Sequence, residues 1–303
     1  MQTEGLGKVY ATFMIRRVLR IFPIYYLVLL IVWLAKFNSF LPEITTDFYT
    51  HPIYYLFYLS NYLLEKTDNW SDILSPFWSL AVEEQFYIFW PLIMLTVHQK
   101  YLKLVIILTI ISGIIFRFIL FKTGYELGIL MPGCIDTFAI GALWALVYFN
   151  EKYSKILLKY LNIITIPAFI VFIIFSIFPA NEVLDILFFR VLMAICCLFL
   201  VANATSDNGF KSPFGSVLDN NVFRFIGKIS YGLYIFHMLV PAFVLPIIIT
   251  GINRFFGINF HLTDSLYKIV SLIILITLAT LSWYFFEMPF NRLKRRFTGL
   301  AGN

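Results

Sequence analysis

Along the chain, long apolar runs alternate with short polar breaks. The runs fill residues 12–36, 76–97, 101–121, 131–149, 157–178, 184–204, 227–250 and 265–286. At a helical rise of about 1.5 Å per residue, eighteen or more apolar residues cross about 30 Å of hydrocarbon. The pattern therefore predicts eight transmembrane helices. Period-two alternation is absent, which excludes a barrel, and no internal repeat is visible. A ninth apolar patch, residues 52–64, is too short to span and predicts a re-entrant or interfacial piece. The expected fold is all-α: a polytopic helical membrane bundle of about eight spans plus one short piece, forming a single domain over residues 1–303.

Composition agrees, with 60% hydrophobic and 13% charged residues against about 25% charged for a soluble domain. The net charge of +6 sits mostly in short loops, where it orients the chain and does not mark a nucleic-acid surface. With residues 52–64 not spanning, sixteen Lys and Arg fall on one side, including Arg16, Arg17, Arg20, Lys211 and Arg292, and five fall on the other. The bias predicts both termini on the cytoplasmic side. A spanning 52–64 would invert every later loop and largely erase it. Cys134, Cys196 and Cys197 lie in apolar runs, with neither a disulfide framework nor a metal spacing. Core packing is the expected role, and no metal is expected.

Ionisable groups at membrane depth are costly, so each calls for a partner or a function. From helical rise, Glu83 lies roughly 10 Å below the outer end of its helix, Asp136 and Arg190 roughly 8–9 Å, and Arg117 roughly 6 Å. Two acids and two arginines at similar depth on four helices predict a shared polar cavity. Glu83 shares a helical face with Ser79, Phe86, Tyr87 and Trp90, suited to a sugar or acyl group, while Glu84 points about 100° away. Either glutamate could instead be a structural partner for Arg117 or Arg190. Arg16 and Arg20 lie on one face of the first helix, as a membrane-side anchor or as a phosphate site suited to guanidinium forks. His237, near the midplane, is a candidate proton carrier or a hydrogen-bonded packing residue. His51, His98 and His261 fall at helix ends or in loops, where an interfacial role is expected.

FMIRRVLRIFPIYYL (13–27), FWSLAVEEQFYIFWPL (77–92), MPGCIDTFAIGALWA (131–145), GKISYGLYIFHMLV (227–240) and YFFEMPFNRL (284–293) occur in this order. Together they resemble the membrane-bound acyltransferase 3 family across nearly the whole chain. The resemblance implies transfer of an acyl group, often acetyl from acetyl-CoA, to extracytoplasmic glycans and other hydroxyl acceptors. It places the arginine motif on Arg16, Arg17 and Arg20, the family glutamate on Glu83, and the Asp-containing helix on Asp136. Cys134 stands where many members have Arg. The family normally has two helices upstream of the arginine motif, the first carrying the histidine taken as catalytic base. The residues given begin just before that motif, so the chain is expected to be N-terminally truncated relative to the family, with catalysis needing that histidine.

The expected function is O-acyl transfer from acyl-CoA to a cell-envelope or exported polysaccharide, in the bacterial plasma membrane. Glu83 and His237 are the catalytic candidates. Arg16, Arg17 and Arg20 would hold CoA phosphates. Ser79, Tyr87, Trp90, Asp136, Arg117 and Arg190 would line the substrate cavity. The alternative is a non-catalytic carrier or accessory subunit of a polysaccharide system.

Overall fold

The computed structural model describes residues 5–37, 46–125, 128–178, 182–206, 209–210 and 214–298. Lys211, one of the loop cations counted above, lies outside them. Among the described residues every regular element is helical. The α-helices are α1 (Leu6–Ala35), α2 (Pro52–Leu56), α3 (Ser60–Thr67), α4 (Phe77–Thr96), α5 (Gln99–Lys122) and α6 (Ile135–Tyr148). They continue with α7 (Glu151–Ile177), α8 (Glu182–Thr205), α9 (Phe214–Leu218), α10 (Asn221–Phe236), α11 (Leu245–Phe256), α12 (Asp264–Ser282) and α13 (Met288–Thr298). Short 3₁₀ turns precede α2 and α6, and π-helical turns sit at Val240–Val244 and Trp283–Glu287.

Among the described residues, α1, α5, α7, α8 and the stretch Asp264–Lys294 containing α12 are long and apolar enough to cross a bilayer. The α10–α11 pair qualifies as one further span, bent by 53°. Two of the eight predicted spans fall outside this group. In α4, 20 residues long, Glu83, Glu84 and Gln85 interrupt the apolar surface. Helix α6 has only 14 residues, because the 3₁₀ turn Met131–Gly133 takes up the start of the predicted run. Ile163, Ile166, Phe169 and Ile170 of α7 are exposed, a surface matched to lipid and ill suited to water.

The chain divides into two compact units. The first gathers Met1–Ser60, Asn69–Ala81 and Asn221–Asn303, the second Asn61–Asp68 and Val82–Asn220. In the first, α1 buries a stripe of Ile21, Ile24, Tyr25, Val28, Leu29 and Val32, at the i, i+3, i+4, i+7 spacing of an amphipathic helix. The predicted short piece is broken: α2 ends where Tyr58 adopts φ of 54°. Tyrosine takes this left-handed conformation only when its surroundings hold it. Tyr25 and Phe22 stack on its ring, with centroids 4.3 and 5.1 Å away. Gly232 of α10 lets Ala279 of α12 approach so closely that a Cβ there would lie 3.1 Å from the Ala279 Cα, the small-residue contact that membrane helices favour.

The bend between α10 and α11 follows from Pro241. Proline lacks an N–H and its ring crowds the carbonyl four residues back, here that of His237. The π-helical turn Val240–Val244 absorbs the mismatch. Pro289 stands in the same relation to Phe285, inside the second π-helical turn.

In the second unit, α5 packs on α6 and α7 on α8, with α6 also against α8. Ile140, Trp144, Leu161, Leu198 and Ala202 form its apolar core, and Trp144 Nε1 donates to Thr205 Oγ1 at 2.8 Å. Gly113 of α5 meets the start of α6: a Cβ at this position would lie 2.7 Å from the Asp136 backbone nitrogen. The obstacle is main chain, which cannot swing away. Gly113→Ala should therefore destabilise the protein by about 1–3 kcal/mol, as overpacking does, against the gain an alanine normally brings to a helix interior. Thermal unfolding in detergent would register this as a lower midpoint.

Candidate active site

Helix α4 is preceded by a polar latch in the first unit. The Asp72 carboxylate is buried and accepts from Thr46 Oγ1 at 3.0 and 2.9 Å and from the backbone N–H groups of Asp47 at 2.6 Å and Leu74 at 2.7 Å. Burial pushes its carboxyl up from the usual range, while these hydrogen bonds pull it back. The latch fixes the approach to α4. Its sequence signal is the Asp-x-Leu spacing of an Asx-turn, which carries little weight beside the apolar runs.

At the first turn of α4, the Ser79 and Tyr234 hydroxyls lie 2.6 Å apart. Tyr234 also donates to the Pro76 carbonyl. A phenol has a single proton, so Ser79 must donate to Tyr234. His237 follows α10 at the bend and is exposed. Its Nδ1 lies 2.6 Å from the Tyr234 carbonyl. A carbonyl only accepts, so a proton sits on Nδ1, and in the neutral imidazole Nε2 is then the acceptor. Ser79 and His237, both selected from sequence, thus meet the two ends of one tyrosine that was not.

The rest of α4 belongs to the second unit. Glu83 is half-buried and accepts from the Tyr87 hydroxyl at 3.2 Å. Glu84 is buried, 4% exposed. Trp90 stacks on Phe86 at 5.1 Å and Phe86 on Phe138 of α6 at 4.3 Å, so part of the predicted aromatic face is a packing stack. Gln85 Nε2 donates to Asn61 Oδ1 of α3 at 2.9 Å.

Arg117, Asp136 and Arg190 converge on residues 128–134. Arg117 is 1% exposed and Asp136 fully buried, and their side chains form an ion pair. Arg117 Nε donates to the Gly133 carbonyl at 2.9 Å, and Nη1 to the carbonyls of Ile186 and Leu187 at 3.1 and 3.2 Å. Arg190 Nη1 donates to the Gly128 carbonyl at 2.6 Å and contacts Cys134 Sγ at 3.1 Å. Glu65 closes the other side of the loop, accepting from the N–H groups of Gly128 at 3.3 Å and Ile129 at 2.9 Å. Gly128 has φ of +62°, a conformation that glycine tolerates at no steric cost. Arg117 and Arg190 line a cavity of 230 Å³ with Asp185, Ile186 and Phe189. Asp136 is not among its lining residues.

In the first unit, Arg16 and Arg20 are exposed one turn apart on α1. The half-buried Arg17 lies with its guanidinium 5.3 Å from the Phe13 ring centre. Glu287 is buried beside the basic group, accepting from Ser282 Oγ at 3.3 Å. The YFFEMPFNRL stretch contains it, but its place beside the arginines is a tertiary fact. Among the described residues no three His, Cys, Asp or Glu side chains gather to hold a metal.

The differing burial of the two α4 glutamates has a direct chemical readout. A cysteine replacing Glu83 should react with a small water-soluble maleimide, and one replacing Glu84 about tenfold more slowly, because the thiolate needs water to form. Equal labelling rates in the purified protein would contradict these orientations.

No solved structure matches the chain. YrhL of Bacillus subtilis (strain 168), provisionally named a peptidoglycan O-acetyltransferase, is 26% identical over 301 residues, covering 91% of this chain and 45% of the relative. A protein of Staphylococcus aureus (strain COL), provisionally named O-acetyltransferase SACOL0978, is 28% identical over 310 residues, 93% of this chain and 47% of the relative. O-acetyltransferase OatA of Staphylococcus aureus (strain NCTC 8325 / PS 47) is 26% identical over 302 residues, 91% of this chain and 47% of the relative. The chain thus spans about half the length of the curated relatives it matches. The family model for the acyltransferase domain matches residues 5–288, and the chain belongs to the acyltransferase 3 family.

Proposed function

We propose that the protein moves an acyl group, acetyl in the simplest case, from acyl-CoA to a hydroxyl of a cell-envelope polysaccharide. The observation that carries this reading is the half-buried Glu83–Tyr87 pair on an otherwise apolar, aromatic helix in a chain of the acyltransferase 3 family. The names of its relatives support acetyl as the group and peptidoglycan as a type of acceptor. The loop-charge bias supports both termini in the cytoplasm, and the bacterial relatives support a bacterial plasma membrane.

In this mechanism the acceptor hydroxyl oxygen attacks the thioester carbonyl carbon while a base takes its proton. The carbon–sulfur bond then breaks, the base returns that proton to the sulfur, and CoA leaves as its thiol. Glu83 accepts a hydrogen bond from the acceptor and orients the attacking oxygen. Arg16, Arg17 and Arg20 hold the phosphates of CoA through planar guanidinium forks. The family resemblance assigns the base to a histidine that precedes the arginine motif. Within the present residues, His237 has the tautomer a base requires. The Arg117, Asp136 and Arg190 group holds the wall of the acceptor cavity. A carrier remains the competing class on one observation, the break between α10 and α11, since discontinuous helices also mark transporters. A carrier would need no glutamate at position 83 for acyl transfer.

In cells making a form that carries the histidine-bearing helix implied by the family resemblance, Glu83→Gln should abolish acetyl transfer to the envelope polysaccharide while membrane insertion persists, and Glu84→Gln should be milder. Equal loss from both would remove Glu83 from its role. Changing Arg16 and Arg20 together to Lys keeps the charge and removes the fork. Topology should survive, and KM for acetyl-CoA should rise about tenfold. An unchanged KM would return these arginines to anchoring.

A further inference from the structure

The first unit contains an apolar groove of 410 Å³ to which the mechanism proposed above gives no role. Ile24 and Val28 of α1 and Phe243 form its buried floor, while Ile31, Leu281 and Phe286 stand at its exposed rim. Apart from Ser282, every lining residue is apolar. Its volume is in the range of small-molecule sites. The pantetheine arm of CoA fits this lining badly, because its amides would be buried without partners. Hydrocarbon fits it well.

The groove does not end in apolar surface. Ser282, in its lining, donates to the buried Glu287 carboxylate. Glu287 lies in the field of Arg20 and Lys294, and Lys294 in the fields of Arg20, Arg17 and Arg16. Lys294 Nζ also donates to Asn291 Oδ1. Helix α13 packs on α1, which brings these side chains together. Arg20 has no hydrogen-bond partner among the described residues. Arg20 and Lys294 face one buried acid, with Arg16 and Arg17 beyond them, so the cluster keeps a positive surplus. Along α1 the order is cation, then floor: Arg20, Ile24 and Val28 are successive i+4 positions on one face.

We propose that this face of the first unit binds one anionic phospholipid, with its phosphate on Arg20 and Lys294 and one acyl chain in the groove. The charge selects the headgroup, and the lining selects the chain. The groove opens on helices that are themselves apolar enough to lie in a bilayer, so such a lipid reaches it from the surrounding leaflet. Arg16 and Arg17 lie farther from the groove. Arg20 is common to this site and to the proposed CoA phosphate site. The lipid site does not depend on the acyltransfer reading, and its test has no catalytic readout, so either can fail alone.

The test is binding of labelled phosphatidylglycerol and phosphatidylcholine to the purified protein in neutral detergent, with inorganic phosphate as competitor. Phosphatidylglycerol should bind more tightly, and millimolar phosphate should not displace it. Each cation near an anionic headgroup contributes about fivefold. Arg20→Gln with Lys294→Gln should therefore reduce the preference by about twentyfold or remove it, while Arg20→Lys should retain most of it. Leu281→Trp, placed at the exposed rim where it can fill the groove without disturbing the core, should weaken both lipids about tenfold. Equal affinity for the two lipids, or a preference that survives loss of both cations, would overturn the proposal. Displacement by phosphate alone would reduce the site to an anion site, and normal binding by Leu281→Trp would exclude the groove.

Discussion

A guanidinium cannot remain at membrane depth without partners, and Arg117 organises the second unit for that reason. The charge is 1% exposed, and its desolvation cost falls only if the surrounding chain supplies both an anion and acceptors. Asp136 supplies the anion. The carbonyls of Gly133, Ile186 and Leu187 supply the acceptors. One side chain of α5 thereby fixes the start of α6, a turn of α8 and the loop leading into α6. The contact at Gly113 belongs to the same arrangement, because Asp136 reaches Arg117 only where α5 offers no side chain in the way. Arg190 and Glu65 close the loop from its other sides.

The first unit depends on a different constraint, the missing N–H of proline. Pro241 and Pro289 each stand within a π-helical turn or just after one. The first places His237 at an exposed bend, where a straight helix would have packed that position along its length. The second sits beside Glu287, which faces the basic residues of α1. Irregular backbone of this kind is uncommon in membrane helices unless the freed polar groups find other partners. Tyr267 provides one, donating to the Pro241 carbonyl at 2.5 Å.

The all-helical class was legible in the apolar runs, because hydrocarbon thickness sets a length that sequence reports directly. Helix ends were less legible. The run at 131–149 begins with a 3₁₀ turn because Pro132 and Gly133 stand there, and local turn chemistry overrides hydropathy at such points. The short patch 52–64 falls on two short helices, α2 and α3, and its break at Tyr58 depends on stacking with Tyr25 and Phe22, residues some thirty positions away. In the candidate site, the cost of buried charge pointed to Glu83, Arg117, Asp136 and Arg190: the last three converge on residues 128–134, whereas Glu83 pairs with Tyr87 on α4, and neither Glu83 nor Asp136 lines the cavity of the two arginines. That Arg117 is an interior clamp was not legible, since its carbonyl acceptors carry no side-chain signal. Tyr234, Asp72, Glu65 and Glu287 went unselected for a related reason: each is defined by partners distant in sequence.

Arg117 and Asp136 thus form one cooperative pair in the interior of the second unit. A double-mutant cycle on stability in detergent, using Arg117→Leu, Asp136→Leu and their combination, measures this coupling directly. Each single change strands a buried charge and should destabilise by about 3–5 kcal/mol, while the double should lose clearly less than the sum, with a coupling of about 2 kcal/mol or more. Additive losses, or a double variant as unstable as the sum of the two, would contradict the account.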